Sequence, residues 1–236
     1  MKVNLLEYTP NAEDVLIFTK NTRLQMRGSE YAEIRSWPYS KKLEELAYMA
    51  DTIPSSWEFV DYIFSIEGVT RAFTHQFVRT RTGSYAQQSM RVTDMSGFDY
   101  RLPSSFVGKK ETGRYQVYTR CMEMIREEYE NLIDLGVPEE DARGVLPTNI
   151  LTNIVAKFNL RTLSEIVRSR SGGRTQDEYQ EVVKKMTDEV LRIHPWAEFF
   201  LFPKGRTYFD ELEEKVAAEP MVRRDILKAI DKMRKT

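Results

Sequence analysis

Two segments of the chain are rich in arginine and poor in acidic residues. Residues 68–93 contain four arginines and no aspartate or glutamate, and residues 157–174 contain five basic residues and one glutamate. The planar guanidinium group pairs with phosphate through two hydrogen bonds and stacks on flat rings. Two such clusters predict a ligand that carries both phosphate and an aromatic ring, and a nucleotide satisfies both demands. The alternative is that these arginines lie on solvated helix faces or hold subunits together.

The sequence gives little support to other kinds of site. No G-x-G-x-x-G follows a strand and opens a helix, and residues 108–113 contain glycine and lysine but not in the P-loop order. The chain has one cysteine and two histidines, too few for a zinc centre built from these residues, so we expect no metal site. Cys121 falls on an apolar helical stripe, which predicts a small hydrophobic core residue rather than a nucleophile. His75 shares a helix face with arginines and is either a ligand contact or a surface residue.

Composition excludes several classes of protein. The 236 residues are 41% hydrophobic and 30% charged, and 35 basic residues nearly balance 36 acidic ones, for a net charge of -1. This balance gives no global attraction to nucleic acid or to an anionic membrane. No stretch approaches the roughly 20 apolar residues of a membrane span. The single cysteine favours a reducing, cytoplasmic setting.

Hydrophobic periodicity predicts the elements that position the arginines. In the first half, helical spacing indicates a helix over residues 39–51, and alternation indicates a strand over residues 57–67. Helical spacing resumes from Val69 to Phe77, and residues 82–96 read as a loop. Helices with a few antiparallel strands and no βαβ rhythm predict an α+β fold, a single domain of helices packed on a small antiparallel sheet.

The second half follows the same mixed pattern. A long helical stripe runs from Tyr118 to a stop near Gly136, and Pro138 begins a short helix. Residues 150–158 alternate like a second strand, and helical spacing returns from Leu163 until two glycines at 172 and 173 interrupt it. Thr175 and Glu178 have the spacing of a capping box that begins another helix. We expect the main domain to span residues 1–204 and residues 205–236 to form a helical C-terminal extension.

Residues 79–91, RTRTGSYAQQSMR, resemble the signature of the flavin-dependent thymidylate synthases, R-H-R-x-x-S-x-x-[EQ]-x-S-x-R-Y. Further blocks of that family have counterparts in the same order and at similar spacing. Residues 57–59 are similar to its P-F-E-H strand entry, residues 142–147 to A-R-x-V-L-P, and residues 159–163 to N-x-R-S-L. Arg170 is similar to the arginine of an L-R block, and Gln176 and Glu178 are similar to the glutamine and glutamate of A-Q-x-E-I. The resemblance covers about residues 15 to 200.

The resemblance implies an α+β homotetramer with active sites at the subunit junctions, each holding FAD and a pyrimidine nucleotide. The reaction it implies is reductive methylation at C5 of the uracil ring of dUMP or UMP. Methylenetetrahydrofolate would be the carbon donor and NADPH the reductant. No cysteine nucleophile is needed in this reaction, which agrees with the interpretation of Cys121. Small molecules rather than nucleic acids or membranes would be the partners.

Site residues carry over from the resemblance position by position. Arg170 is expected to hydrogen-bond the pyrimidine and stabilise charge that develops on the ring, as the catalytic residue. The expected nucleotide-binding residues are Gln76, Gln87, Gln88, Ser89, Arg91, Arg143 and Arg170. The expected FAD-binding residues are Arg79, Thr80, Arg81, Asn159, Arg161, Glu165 and Arg174.

The chain departs from the family pattern mostly on the flavin side. Thr80 and Phe59 replace histidines, Val92 replaces a tyrosine, and Glu165 and Arg174 stand where asparagine and histidine are usual. One alternative is therefore an enzyme that acts on another pyrimidine nucleotide, such as dCMP, or transfers a hydroxymethyl group. Another is a relative that binds nucleotide and flavin without catalysis. Retention of both sets of ligand residues disfavours this last alternative.

Overall fold

An antiparallel sheet forms the centre of the protein in the computed structural model, which describes residues 1–24, 30–52, 54–106, 108, 112–170 and 175–202, without the side chains of 22–24. The described strands lie in the order β1-β2-β4-β3. Their bounds are β1 Lys2–Tyr8, β2 Asp61–Thr70, β3 Ser84–Gln87 and β4 Leu151–Asn159. The two central strands are adjacent and antiparallel, with Phe64 opposite Ala156.

The helices lie between and after the strands, which confirms the predicted α+β fold. Residues 1–201 form one compact unit. The described helices are α1 Ala12–Leu24, α2 Tyr31–Arg35, α3 Tyr39–Ala50, α4 Arg71–Phe77, α5 Gly113–Asp134, α6 Glu139–Ala142, α7 Leu160–Arg170, α8 Asp177–Ile193 and α9 Glu198–Leu201. No described helix is long and apolar enough to cross a membrane. The predicted C-terminal extension and the glycines at 172 and 173 lie outside the described residues.

The predicted alternation of the two central strands is confirmed. Tyr62, Phe64 and Ile66 of β2 are buried, as are Ala156 and Phe158 of β4. Helix α8 packs against β1 and β2, and α7 packs against α8. This layer supplies the apolar surface that the buried strand face needs.

Two predictions about the strands were wrong. The first strand was predicted from residue 57, but Pro54–Phe59 form a 3₁₀ helix and β2 begins at Asp61. The side chain of Trp57 is buried edge-on against Phe200, with ring centroids 5.0 Å apart, so packing determines the conformation of this segment. The segment predicted as a loop contains β3, whose polar sequence gives no apolar alternation because it is an edge strand.

Gly83 explains how the edge strand approaches the sheet so closely. A Cβ atom at this position would lie 2.4 Å from Cε1 of Phe158 and 2.7 Å from the Tyr85 hydroxyl. Real Cβ atoms do not approach other atoms this closely, so the chain passes Phe158 only because residue 83 has no side chain. The glycine therefore fixes the path between the signature arginines and β3.

The ends of two helices test the capping predictions. Helix α5 ends as predicted: Gly136 has φ +80°, and its N–H donates to Ile133 O while Val137 N–H donates to Leu132 O, which is a Schellman motif. The capping box at Thr175 was wrong, because Gln176 is the N-cap of α8 and makes no side-chain cap. The Glu178 side chain instead accepts hydrogen bonds from Thr70 at the end of β2.

Cys121 was predicted in the core and is exposed. The rest of the predicted stripe is confirmed: Met122 and Tyr129 lie in a smaller buried cluster, and Tyr118, Ile125 and Leu132 pack against it. Cys121 lies about 100° around the helix from Met122 and therefore falls outside the buried face. Because Cys121 is exposed, it has no packing role in the core, and no described residue around it indicates a catalytic one.

Cys121→Ser should leave both stability and activity close to those of the unaltered chain. An exposed substitution away from packed groups usually changes the free energy of unfolding by less than about 0.5 kcal/mol. The test is a melting curve together with a turnover assay. Loss of turnover with an unchanged melting temperature would contradict the prediction and assign chemistry to the thiol.

Candidate functional site

The junction of β2, α4 and α8 holds the start of the signature region in place. Thr70 is the N-cap of α4, and its hydroxyl accepts a hydrogen bond from Phe73 N at 3.0 Å. Buried Glu178 accepts from Thr70 N at 2.9 Å and from its Oγ1 at 2.6 Å. Gln76 Nε2 donates to Gln176 Oε1 at 2.8 Å. Two blocks that lie 100 residues apart in sequence therefore meet here.

Arg71 belongs to the first arginine-rich segment but is not among the site residues carried over from the resemblance. Its Nη2 donates to the Gln88 carbonyl at 2.7 Å. Its Nε is buried and has no hydrogen-bond partner among the described residues. Burial and, secondarily, the positive charge of Arg143 lower the pKa of Arg71. A buried guanidinium N–H without a protein partner is available to an anionic ligand.

The signature glutamines are both anchored by side-chain hydrogen bonds. Gln87 Nε2 donates to Thr74 Oγ1 at 2.8 Å, and Gln88 Oε1 accepts from Asn153 Nδ2 at 3.2 Å. Asn153 also accepts from Gly68 N at 3.0 Å through Oδ1, so it connects β4 to β2. Sequence reasoning missed Asn153; its polar side chain at an outward position of the alternating strand was the available signal.

Three signature arginines remain uncompensated. Arg79, Arg81 and Arg91 are exposed. Within the described part of the chain, we find no ion pair or side-chain hydrogen bond for any of them. Two of them donate from the backbone instead: Arg79 N donates to Gln76 O at 3.2 Å, and Arg91 N donates to Ser89 Oγ at 3.2 Å in the turn after β3. The edge of the molecule that carries the signature therefore displays positive charge.

The predicted flavin residues on α7 are already paired with protein groups. Arg161 forms ion pairs with Glu58 at 2.7 Å and with Glu165 at 3.3 Å, and these hydrogen bonds raise its pKa. Asn159 Oδ1 accepts from Thr162 N at 2.8 Å and caps the start of α7. Phe59, next to Glu58, is 60% exposed. Phe59 thus follows in sequence the glutamate that pairs with Arg161.

Thr80 and Arg170 are brought together by two tyrosines. The Tyr85 hydroxyl lies 2.8 Å from the Thr80 carbonyl and 3.0 Å from the Phe77 carbonyl, within hydrogen-bond distance of both. Arg170 Cζ lies 5.0 Å from the centroid of the buried Tyr179 ring. Thr80 and Arg170 both lower the pKa of Tyr179, against the larger effect of burial. Arg174, the other residue expected here, lies outside the described residues.

The expected site residues thus form groups along the chain rather than one cluster. Gln87, Gln88, Arg71 and Arg143 form one group, and Thr80 and Arg170 a second. Arg161 and Asn159 lie at the other end of α7 from Arg170, which over nine residues is a distance of about 14 Å. The described residues include no cluster of three or more His, Cys, Asp or Glu that could hold a metal ion.

Comparisons with known proteins match nearly this whole region. Residues 4–196 match the family model described as thymidylate synthase complementing protein. The flavin-dependent thymidylate synthase of Sulfurisphaera tokodaii is 33% identical over 205 residues, which are 83% of this chain and 75% of the relative. The enzyme of the same name from Clostridium tetani is 31% identical over 213 residues, covering 83% and 84% of the two chains.

Solved structures show the same fold. The UMP/dUMP methylase PolB from Streptomyces cacaoi, bound with 5-Br dUMP, superposes with a TM-score of 0.71 at 21% identity and covers 87% of this chain and 96% of its own. Thymidylate synthase X from Helicobacter pylori, with FAD and dUMP, gives 0.65 at 19% identity over 86% and 97% of the chains. The resemblance seen in the signature is therefore confirmed: the chain belongs to the flavin-dependent thymidylate synthase family.

Proposed function

We propose that this enzyme catalyses FAD-dependent reductive methylation at C5 of a uridine monophosphate nucleotide, dUMP or UMP. Methylenetetrahydrofolate would supply the carbon and NADPH the electrons, in the cytoplasm. The observation that carries the proposal is the placement of cations: Arg79, Arg81 and Arg91 are exposed without a described counter-charge, and the buried Nε of Arg71 has no hydrogen-bond partner among the described residues. The molecules bound to PolB and to the Helicobacter pylori enzyme, a nucleotide in both and FAD in the second, are anionic.

The nucleotide site is assigned to the group around α4 and β3. Arg71 and Arg143 supply positive charge for a phosphate, and the fork of hydrogen-bond donors suits its oxygens. Because Gln87 and Gln88 are anchored from behind by Thr74 and Asn153, their positions are set before a ligand binds. The proposed nucleotide residues are Arg71, Gln76, Gln87, Gln88, Ser89, Arg91, Arg143 and Arg170.

The residues on the flavin side fit FAD in chemistry. Arg79 and Arg81 supply charge for a pyrophosphate, and exposed Phe59 offers a flat apolar face. Asn159 keeps its amide N–H groups as donors while its oxygen caps α7. The proposed FAD residues are Arg79, Thr80, Arg81, Asn159, Arg161, Glu165 and Arg174.

In the proposed reaction the bound flavin supplies the electrons that reduce the transferred carbon to a methyl group. Arg71 and Arg143 hold the phosphate, so the base is presented in one orientation. Arg170 donates N–H groups to a pyrimidine carbonyl and stabilises the negative charge that develops on the ring when C5 acts as the nucleophile. No covalent bond to the enzyme is required, consistent with a surface position for Cys121.

We further propose a homotetramer with active sites at subunit junctions. Val117 and Met124 of α5 are 58% and 57% exposed and, with exposed Cys121, lie at spacings that share one helix face. An apolar helix face of this kind supports a subunit contact. If each active site is shared between subunits, the residues at the two ends of α7, Arg161 and Arg170, can belong to two different active sites. Light scattering should give a mass about four times that of the chain; a monomer would contradict it.

The activity is tested by spectrum and product together. Purified protein incubated with FAD and gel-filtered should show oxidised-flavin absorbance. With NADPH and methylenetetrahydrofolate it should convert dUMP or UMP to the C5-methyl product, identified by mass spectrometry. Absence of flavin absorbance, or a flavoprotein that methylates neither nucleotide, would contradict the proposal.

Modification of another base, or transfer of a hydroxymethyl group, is the second candidate. The observation that favours it is Thr80, which lies among tyrosines where the signature has histidine. Parallel assays of dUMP, UMP and dCMP, with the product mass recorded, distinguish the two. A product heavier than the methyl derivative by one oxygen would indicate hydroxymethyl transfer.

Arg71→Gln should weaken nucleotide binding by about 10- to 100-fold, because a charge-assisted hydrogen bond contributes about 1.5 to 3 kcal/mol. Calorimetric titration with dUMP and UMP measures this effect. The matched control is Arg168→Gln, which removes a charge from an exposed arginine that lies over Trp57 instead. Equal affinities in the two variants would remove Arg71 from the site.

A further inference from the structure

Tyr179 is a fully buried side chain next to the predicted catalytic residue, and nothing so far gives it a role. It lies in the first turn of α8, where the resembling A-Q-x-E-I block has isoleucine. Its ring packs edge-on against Phe73, with centroids 5.1 Å apart, and against Phe77 at 5.9 Å. These contacts fix the ring from the side of α4, so its orientation does not depend on a ligand.

The face of this ring is in contact with Arg170. Cζ of the guanidinium lies 5.0 Å from the ring centroid, within the range of a cation–π interaction. Arg170 is also the last residue of α7, where the helix dipole favours a cation. Because a ring face attracts the cation as a whole, it does not occupy the N–H donors as the two carboxylates beside Arg161 do.

The hydroxyl group of Tyr179 stays neutral. Burial raises its pKa, and Arg170 and Thr80 only partly oppose that effect. The hydroxyl is buried and makes no bond of hydrogen-bond geometry with a described residue, although Thr80 and Arg170 lie close enough to lower its pKa. An ion pair between tyrosinate and Arg170 is therefore not what holds the guanidinium group. The ring, which an isoleucine would lack, is the part of the side chain that acts on Arg170.

We propose that Tyr179 is a positioning residue for Arg170: its ring holds the guanidinium group in place while leaving the N–H donors free for a pyrimidine carbonyl. The role in turnover rests on the function proposed above, whereas the contact itself does not. The two can therefore be tested separately, first without any ligand and then in the assay.

The ligand-free test measures how fast phenylglyoxal modifies Arg170. Peptide mass spectrometry gives the rate at Arg170 and, as an internal control, at Arg168 on the same helix. Tyr179→Met removes the ring but fills much of its volume with a flexible apolar chain. We expect the Arg170 rate to rise about tenfold, the fold-change of a cation–π contact of moderate strength, and Tyr179→Phe to leave it unchanged.

The test in the assay separates positioning from stability. Tyr179→Met should lower kcat and raise the KM for nucleotide, and Tyr179→Phe should keep both constants at the values of the unaltered chain. In an Arg170→Lys background, Tyr179→Met should change kcat by less than about twofold, since the group it positions is already lost. Full additivity of the two losses would overturn the proposal.

The modification rates at Arg168 and Arg170 distinguish the possible outcomes. If Tyr179→Met speeds modification at Arg168 as well, helix α7 has loosened in that variant. The Arg170 rate is then compared between Tyr179→Leu, which also lacks the ring, and Tyr179→Phe, which keeps it. An unchanged Arg170 rate in both ring-less variants overturns the proposal, whatever the protein catalyses. A faster Arg170 rate in a protein that methylates neither dUMP nor UMP leaves the contact established and overturns only the proposed function.

Discussion

Arg170→Lys is expected to lower kcat by about 100- to 1000-fold, the usual cost of losing a well-placed donor to a developing oxyanion. Lysine keeps the positive charge but presents it as a point on a flexible stem, so it cannot reproduce a planar fork aimed at a carbonyl. A lysine ammonium group also lacks the flat guanidinium face that Arg170 presents to the Tyr179 ring. Steady-state turnover and FAD titration should be measured on the same preparations.

The pattern of losses identifies the role of Arg170. The affinity for FAD should fall much less than kcat does, because two of the proposed flavin residues, Arg161 and Asn159, lie a helix length of about 14 Å away. Arg168→Lys, two residues earlier on α7 and exposed, is the matched control and should retain turnover. If Arg170→Lys turns over at the unaltered rate, Arg170 is not catalytic.

Gly83→Ala is expected to destabilise the fold by about 1 to 3 kcal/mol, the range found when a methyl group is forced into a packed site. The added Cβ would lie 2.4 Å from the ring of Phe158, which is buried in β4 and surrounded by Phe77 and Tyr85. To make room, either the ring or the 80–84 segment must shift. The segment carries the Thr80 carbonyl that the Tyr85 hydroxyl contacts, so binding at the signature should weaken as well.

Gly144→Ala is the matched control for this substitution. It adds the same methyl group at a position where nothing lies within 4 Å of the new Cβ atom. Its melting temperature should equal or exceed that of the unaltered chain, because alanine reduces the conformational freedom of the unfolded state. Thermal melts of both variants measure the difference. Equal melting temperatures would mean that the edge strand tolerates a side chain at residue 83.

Where hydrophobic periodicity was strong, the sequence predicted the elements well. The alternating residues of β4 and the helical stripes of α3 and α5 lie where predicted because each buries a regular apolar face. Predictions failed where tertiary contacts replaced periodicity. Trp57 packs against Phe200 and ends the expected strand early, and Ser84–Gln87 pair as a strand without an apolar pattern.

The candidate site shows the same division. Arginine clusters and the order of signature residues pointed to an anionic, aromatic ligand and to the family, since both depend only on residue type and spacing. The contacts of Arg71, Asn153 and Tyr179 could not be predicted. Each forms only in the folded chain: Arg71 contacts Gln88, Asn153 contacts Gly68, and the Tyr179 ring contacts Arg170 and Phe73.

The sequence by itself determined the family, the α+β class and the charge of the ligand, because local pattern and composition carry that information. Only the tertiary structure decided which cations stay free. Arg161 is neutralised by two glutamates, one of them distant in sequence, whereas Arg79 and Arg81 have no described counter-charge. The physical reason is that pairing and desolvation act over a few ångströms in space, and the chain brings those neighbours together only when it folds.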